Sequence, residues 1–217
     1  MLIHPWDAAL DADEWRSWLR TRDFGLLAAN GVHGGPPVVV PTHFLLDARD
    51  AGAGVGEEIV LHLARPNPIW AALEAHPTVV MSVHDDYAFI PSTWRADSPG
   101  TGVPTSYYAS VQLTCTARIV DDKEGKADIL RRQLAHHEPD GGYGVVAADE
   151  GPYRKMLSAI RGLRLEVTGV RAKFKYDSHK PVELRERVAA GLAERDLPRD
   201  AGARAQQLRR TATPVGE

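Results

Sequence analysis

At 217 residues the chain can form one large domain, or one domain with a helical appendage. With 43% hydrophobic and 25% charged residues it has an ordinary globular composition, well able to form a core. The net charge of −3 gives no overall support for a nucleic-acid binder, and a single cysteine, Cys115, excludes an intramolecular disulfide.

No run reaches the length of a membrane span. The start MLIHPWDAAL lacks the basic end and apolar centre of a signal peptide, so a cytoplasmic protein is expected. Residues 11–22, DADEWRSWLRTR, open with capping and acidic residues and place Trp15, Trp18 and Leu19 on one side, which predicts a short amphipathic helix. DFGLLAAN and PVVVPTHFLLD then read as two strands of an antiparallel hairpin around the Gly-rich turn NGVHGGP. RDAGAGVGEE is a Gly- and Ala-rich loop.

In EIVLHLARPNPIW, residues 58–70, Ile59, Leu61 and Leu63 alternate with Val60, His62 and Ala64, the period of a strand. Pro66 suits the first turn of a helix, and Ile69, Trp70 and Leu73 continue at helical spacing. A helix is therefore expected to start just after Arg65. Its unpaired N–H groups and a forked guanidinium would together suit a phosphate. The alternative is an ordinary surface turn.

TVVMSVH and DDYAFIPSTW read as further extended pieces, the second ending at Pro91, and RADSPGTGVPTS is a turn-rich loop. YYASVQLTCTARIV is the clearest strand. Ala109, Val111, Leu113, Cys115, Ala117 and Ile119 share one face, while Tyr108, Ser110, Gln112, Thr114, Thr116 and Arg118 share the other. That polar face is either plain surface or the seat of a polar ligand or second subunit. DDKEGKADILRRQLAHHE predicts a helix with Ile129, Leu130 and Leu134 inward, and YRKMLSAIRG a short helix ending at Gly162. LRLEVTGVRAKFKYD returns to strand alternation with Arg171, Lys173 and Lys175 on one face. ELRERVAAGLAER is a terminal amphipathic helix. Residues 1–196 are read as one domain and 197–217 as a tail with few large apolar residues, loosely held unless a neighbouring chain covers it.

Four segments carry a resemblance to a known family. HLARPNPIW, AFIPSTW, VPTSYYASV and GLRLEVTGVRAKFK resemble, in order, the HLARxNPxW, YISPSWY, VPTWNYxxV and GKxKLSQNR segments of the PaiB-like family, split-barrel proteins labelled FMN-binding negative transcriptional regulators. Ser106 and Tyr107 stand where that family has Trp and Asn, and YDSHK replaces LSQNR. The resemblance implies a mainly β (α+β) protein, a six-stranded antiparallel split β-barrel with flanking helices, forming a homodimer with FMN at its interface. It implies Arg65 as the phosphate ligand, with His62, Asn67 and Lys175 as weaker candidates. Thr105, Ser106 and Tyr107 would lie near the ring or ribityl chain, and Trp94 with Tyr107 or Tyr108 would contact the ring face. Trp94 also reads as a core residue.

No HExxH, CxxC pair, GxSxG or P-loop occurs, so no metal ligand set is assigned. His136, His137 and Glu138 occupy adjacent helix positions, which do not readily chelate one ion. Haem, with His43, His62, His84 or His179 as axial ligand, and a deazaflavin stay open as alternatives to FMN. The expected activity is a flavin-dependent oxidoreductase acting on a small organic molecule. The different-class alternative is a flavin-containing transcriptional regulator, for which the basic face at Arg171, Lys173 and Lys175 is the local support.

Overall fold

The structure is a computed structural model and describes residues 1–47, 57–96, 98 and 100–212. Most of the Gly- and Ala-rich loop RDAGAGVGEE lies outside the described residues. The chain divides into two compact units. One contains Ser17–Val83 and Gln112–Val170; the other contains Met1–Arg16, His84–Val111 and the chain from Arg171 onward.

The first unit is built on an antiparallel sheet. Its strands are β1 (Phe24–Ala29), β2 (Val38–His43), β3 (Leu45–Asp47), β4 (Glu58–Ala64), β5 (Thr78–Ile90), β6 (Thr105–Val120) and β7 (Ile160–Lys175). β5, β6 and β7 run on into the second unit. The order is β2-β1-β5-β6-β7-β4-β3, so among the described residues β2 and β3 are the end strands and the sheet is not closed. The expected six strands are seven. PVVVPTHFLLD is interrupted at the buried Phe44, whose N–H donates to Asp23 O at 2.8 Å. Before it β2 pairs with β1, Phe24 opposite His43; after it β3 pairs with β4, Leu45 opposite Val60.

The two extended pieces at 78–90 form one strand whose alternation changes phase. Val79, Met81 and Val83 are buried, then Asp86, Ala88 and Ile90. Asp86 carries the change at φ 53°, a left-handed conformation that acidic and amide side chains tolerate better than branched ones.

On β4 the apolar residues Ile59, Leu61 and Leu63 are buried as the alternation predicts, and Val60 is buried as well. Helix α3 (Lys123–His137) explains the second covered face: Val60 packs with Val120 and Ile129. Asp122 caps α3, accepting from Gly125 N at 2.7 Å. The short helix expected at 153–162 is a single 3-10 turn at Met156–Ser158, because β7 already begins at Ile160 and pairs with Ala64 of β4. Helix α1 (Ala12–Arg20) buries Trp15, Trp18 and Leu19, and α2 spans Ile69–Ala75.

The second unit holds α4 (Val182–Arg195) and α5 (Asp200–Ala212). The segment expected to be loosely held is thus a helix through residue 212. Polar pairs anchor it in place of large apolar residues. Arg210, only 1% exposed, donates from Nη1 to both Glu14 oxygens at 2.7 and 2.8 Å and from Nη2 to the carbonyls of Trp6 and Ala8. Among the described residues no helix is long and apolar enough to cross a membrane.

Candidate functional site

At the end of β4 the chain turns tightly, with Asn67 N–H donating to Ala64 O at 3.0 Å and the Trp70 indole donating to the same carbonyl at 2.9 Å. The helix starts at Ile69, three positions later than Pro66 suggested. Asn67 explains the delay: its Oδ1 accepts from Ile69 N at 3.1 Å, so it closes the turn in place of an anion. With only one short helix there, the case for an anion rests on side chains.

Those side chains converge from three elements of the first unit. Arg65 donates to Asp121 through both terminal nitrogens, at 2.5 and 3.3 Å, and its Nε donates to Ser158 O at 2.9 Å. Lys126 of α3, 3% exposed, has its Nζ 3.8 Å from the same carboxylate. Arg161 of β7 has its Nε 3.3 Å from Asp121; that nitrogen is buried and makes no hydrogen bond. Trp70 lies beneath the Arg161 guanidinium at 5.0 Å, and Glu74 takes its Nη1 at 2.8 Å.

Three cations therefore share the Asp121 carboxylate. The hydrogen bond from Arg65 holds Asp121 below the usual carboxylate range. Burial, and next the charge of Arg65, push the Lys126 ammonium below its ordinary value. Of the three cations Lys126 is buried, Arg161 half-buried and Arg65 exposed, and Arg161 has Glu74 as a second carboxylate partner. Of this group the sequence offers only Arg65 as a phosphate candidate; Lys126, Arg161 and Asp121 carry no local signal. Only folding brings these together.

His62 belongs to a different arrangement. Its Nδ1 is 2.6 Å from Gln133 Oε1, and its ring meets that of His43 edge-on at 5.1 Å.

In the second unit, at the start of β6 and the end of β7, Lys175 Nζ donates to Thr105 Oγ1 at 2.8 Å, which joins two of the expected residues. Ser106 is half-buried. Tyr107 is fully buried, and its hydroxyl sits between Asp177 Oδ2 at 3.1 Å and Gln207 Nε2 at 3.2 Å. Burial, reinforced by Asp177, drives its phenol far above the normal tyrosine range. Strand alternation puts Tyr107 on the inward side with Ala109.

Trp94 is partly buried and packs against α4. A Cβ added at Gly191 would come within 2.7 Å of its ring, and the Arg195 guanidinium lies 4.9 Å from the ring centroid. The basic face of β7 is internally engaged. Arg171 donates to Met1 O, Lys173 donates to Leu2 O at 3.0 Å and lies 3.7 Å from Asp7, and Lys175 holds Thr105.

The sequence model of the family described as "Putative FMN-binding domain" matches residues 1–169. No curated protein matches this chain. Among solved structures, it is similar to the flavocytochrome Anf3 from Azotobacter vinelandii, at TM-score 0.56 and 19% identity, over 78% of this chain and 70% of that one. It is also similar to a FAD and heme binding protein from Mycobacterium smegmatis, at TM-score 0.55 and 20% identity, over 85% of this chain and 80% of that one. These likenesses establish a shared fold.

Proposed function

The chain belongs to this FMN-binding family, and from that premise we propose that it binds FMN and works as a flavin-dependent oxidoreductase on a small organic molecule. The observation that carries this reading is the convergence of Arg65, Lys126 and Arg161 on one carboxylate. A phosphate monoester brings nearly two negative charges and three acceptor oxygens, which suits three cations better than Asp121 does. In this reading the phosphate replaces Asp121 as partner of the cations, while the carbonyl of Ser158 and the ring of Trp70 keep Arg65 and Arg161 aimed. The bound flavin supplies the electron-transfer chemistry, and the protein's own residues bind and orient it. That division of labour agrees with a chain in which no acid–base pair stands out. We further propose a homodimer, which size-exclusion chromatography with light scattering tests.

The regulator reading has less local support, since Lys173 and Lys175 are engaged within the chain and the exposed Arg171 also donates to Met1 O. DNA retention that falls steeply with salt would restore it.

The test is the visible absorption spectrum of the purified protein after incubation with FMN and desalting, repeated on the supernatant after heat denaturation. A two-band flavin spectrum released on heating is expected. A protein that stays colourless refutes the FMN reading, and a Soret band replaces it with haem. Bleaching of the bound flavin by a small organic substrate that leaves free FMN oxidised favours the enzyme over the regulator.

A further inference from the structure

Adjacent helical residues point about 100° apart, and on spacing alone His136 and His137 do not share an ion. In the last turn of α3, however, their ring centroids come to 4.9 Å. Asp23, just before β1, joins them. One ligand atom from each of Asp23, His136 and His137 lies within 4.8 Å of the other two, and His137 Nδ1 is 3.4 Å from Asp23 Oδ2. With bonds of about 2.0–2.1 Å to a tetrahedral zinc ion, neighbouring ligand atoms stand about 3.4 Å apart. One edge of the polyhedron therefore already has the required span.

We propose that Asp23, His136 and His137 form a binding site for a divalent first-row transition ion of the zinc type. Two imidazoles and one carboxylate are a borderline donor set, unlike the all-oxygen shells of calcium and magnesium. All three residues are exposed, so an ion can enter from solvent and keep water in its remaining positions. The site sits at the C-terminal end of a 15-residue helix, where the partial negative charge of the helix favours a cation. Behind it His43 meets the His137 ring edge-on at 5.6 Å, and His62 and Gln133 continue the row. That backing limits how far the His137 ring can turn. His136 also lines a recess of about 280 Å³ with Arg20, Arg22, Phe44, Leu45 and Leu46. A water or small anion on the ion has room there.

The site is separate from the cation group around Asp121, so its test is independent of FMN. Tag-free protein, stripped with a chelator, is titrated with Zn²⁺ by calorimetry and with Co²⁺ by visible absorption. One saturable ion per chain is expected, with Co²⁺ d–d bands of low-symmetry coordination. His137→Ala and Asp23→Asn should each weaken binding by at least about tenfold, while His76→Ala, a histidine outside the cluster, leaves it unchanged. Absence of saturable binding overturns the proposal, as does a Zn²⁺ affinity that survives His137→Ala. Asp23→Asn, an isosteric change at an exposed side chain, gives the same decision if His137→Ala does not fold.

Discussion

Glu14→Gln should destabilise the protein by about 3–5 kcal/mol, because it removes the counter-charge of a buried arginine. The Glu14 carboxylate receives both Arg210 Nη1 bonds, an Arg209 bond at 2.5 Å and the N–H of Leu10 at 2.5 Å. Side-chain exposure is 2% for Glu14 and 1% for Arg210, so water cannot replace the lost charge. After the substitution the guanidinium keeps only neutral partners, the carbonyls of Trp6 and Ala8 and the Ser178 hydroxyl. Arg210→Met is the milder change, since Glu14 then keeps Arg209. The double variant should be less destabilised than the sum of the two, by about 0.5–3 kcal/mol. Urea denaturation followed by tryptophan fluorescence measures all three. With total stability of about 5–15 kcal/mol, the Glu14→Gln midpoint should fall conspicuously. A shift within about 0.5 kcal/mol, or strict additivity, would refute the claim that this pair anchors α5.

Arg65→Ala should weaken FMN binding by about tenfold or more with the far-UV circular dichroism unchanged, and Asp121→Asn should tighten it, because the carboxylate competes for the same cations; fluorescence quenching titrations decide both. Burial, then His62 and His137, hold His43 below the ordinary histidine value, so the unfolded chain takes up protons first as the pH falls. Stability should therefore drop as the pH goes from about 6.5 down to the lowered His43 value and level off below it, and His43→Gln should flatten that slope in urea titrations at about pH 7.5 and about pH 5.5. The Cys115 thiol, pushed up to about 12 by burial, should resist an aromatic disulfide reagent in the native protein and react fully in urea.

The strands were legible wherever one face is apolar, as in β6, whose Val111, Leu113 and Cys115 are all buried. What the pattern could not show was where pairing changes. The break at Phe44 separates two edges of the sheet, and the phase change at Asp86 depends on one backbone angle. Helix α5 was illegible for a different reason. Composition registers apolar burial, whereas α5 is held by Gln207 on Tyr107 and Arg210 on Glu14, partners 100 and 196 positions away.

The motif HLARPNPIW shows the same limit at the site. The sequence offers Arg65, with His62 and Asn67 as weaker candidates, for a phosphate, and the structure gives the neighbouring residues structural tasks as well. His62 holds Gln133, Asn67 closes the turn on Ile69, and Trp70 bonds Ala64 O while lying under Arg161. Only Arg65 points its fork at the shared carboxylate. The motif thus builds a rigid turn that fixes two guanidinium groups, one from its own sequence and one from β7. Lys126 arrives from α3, whose first turn is set by the Asp122 cap, the residue next to Asp121. A cation group assembled from β4, α3 and β7 has no local spacing to detect. Its arginine at a strand end is the one member with a sequence signal.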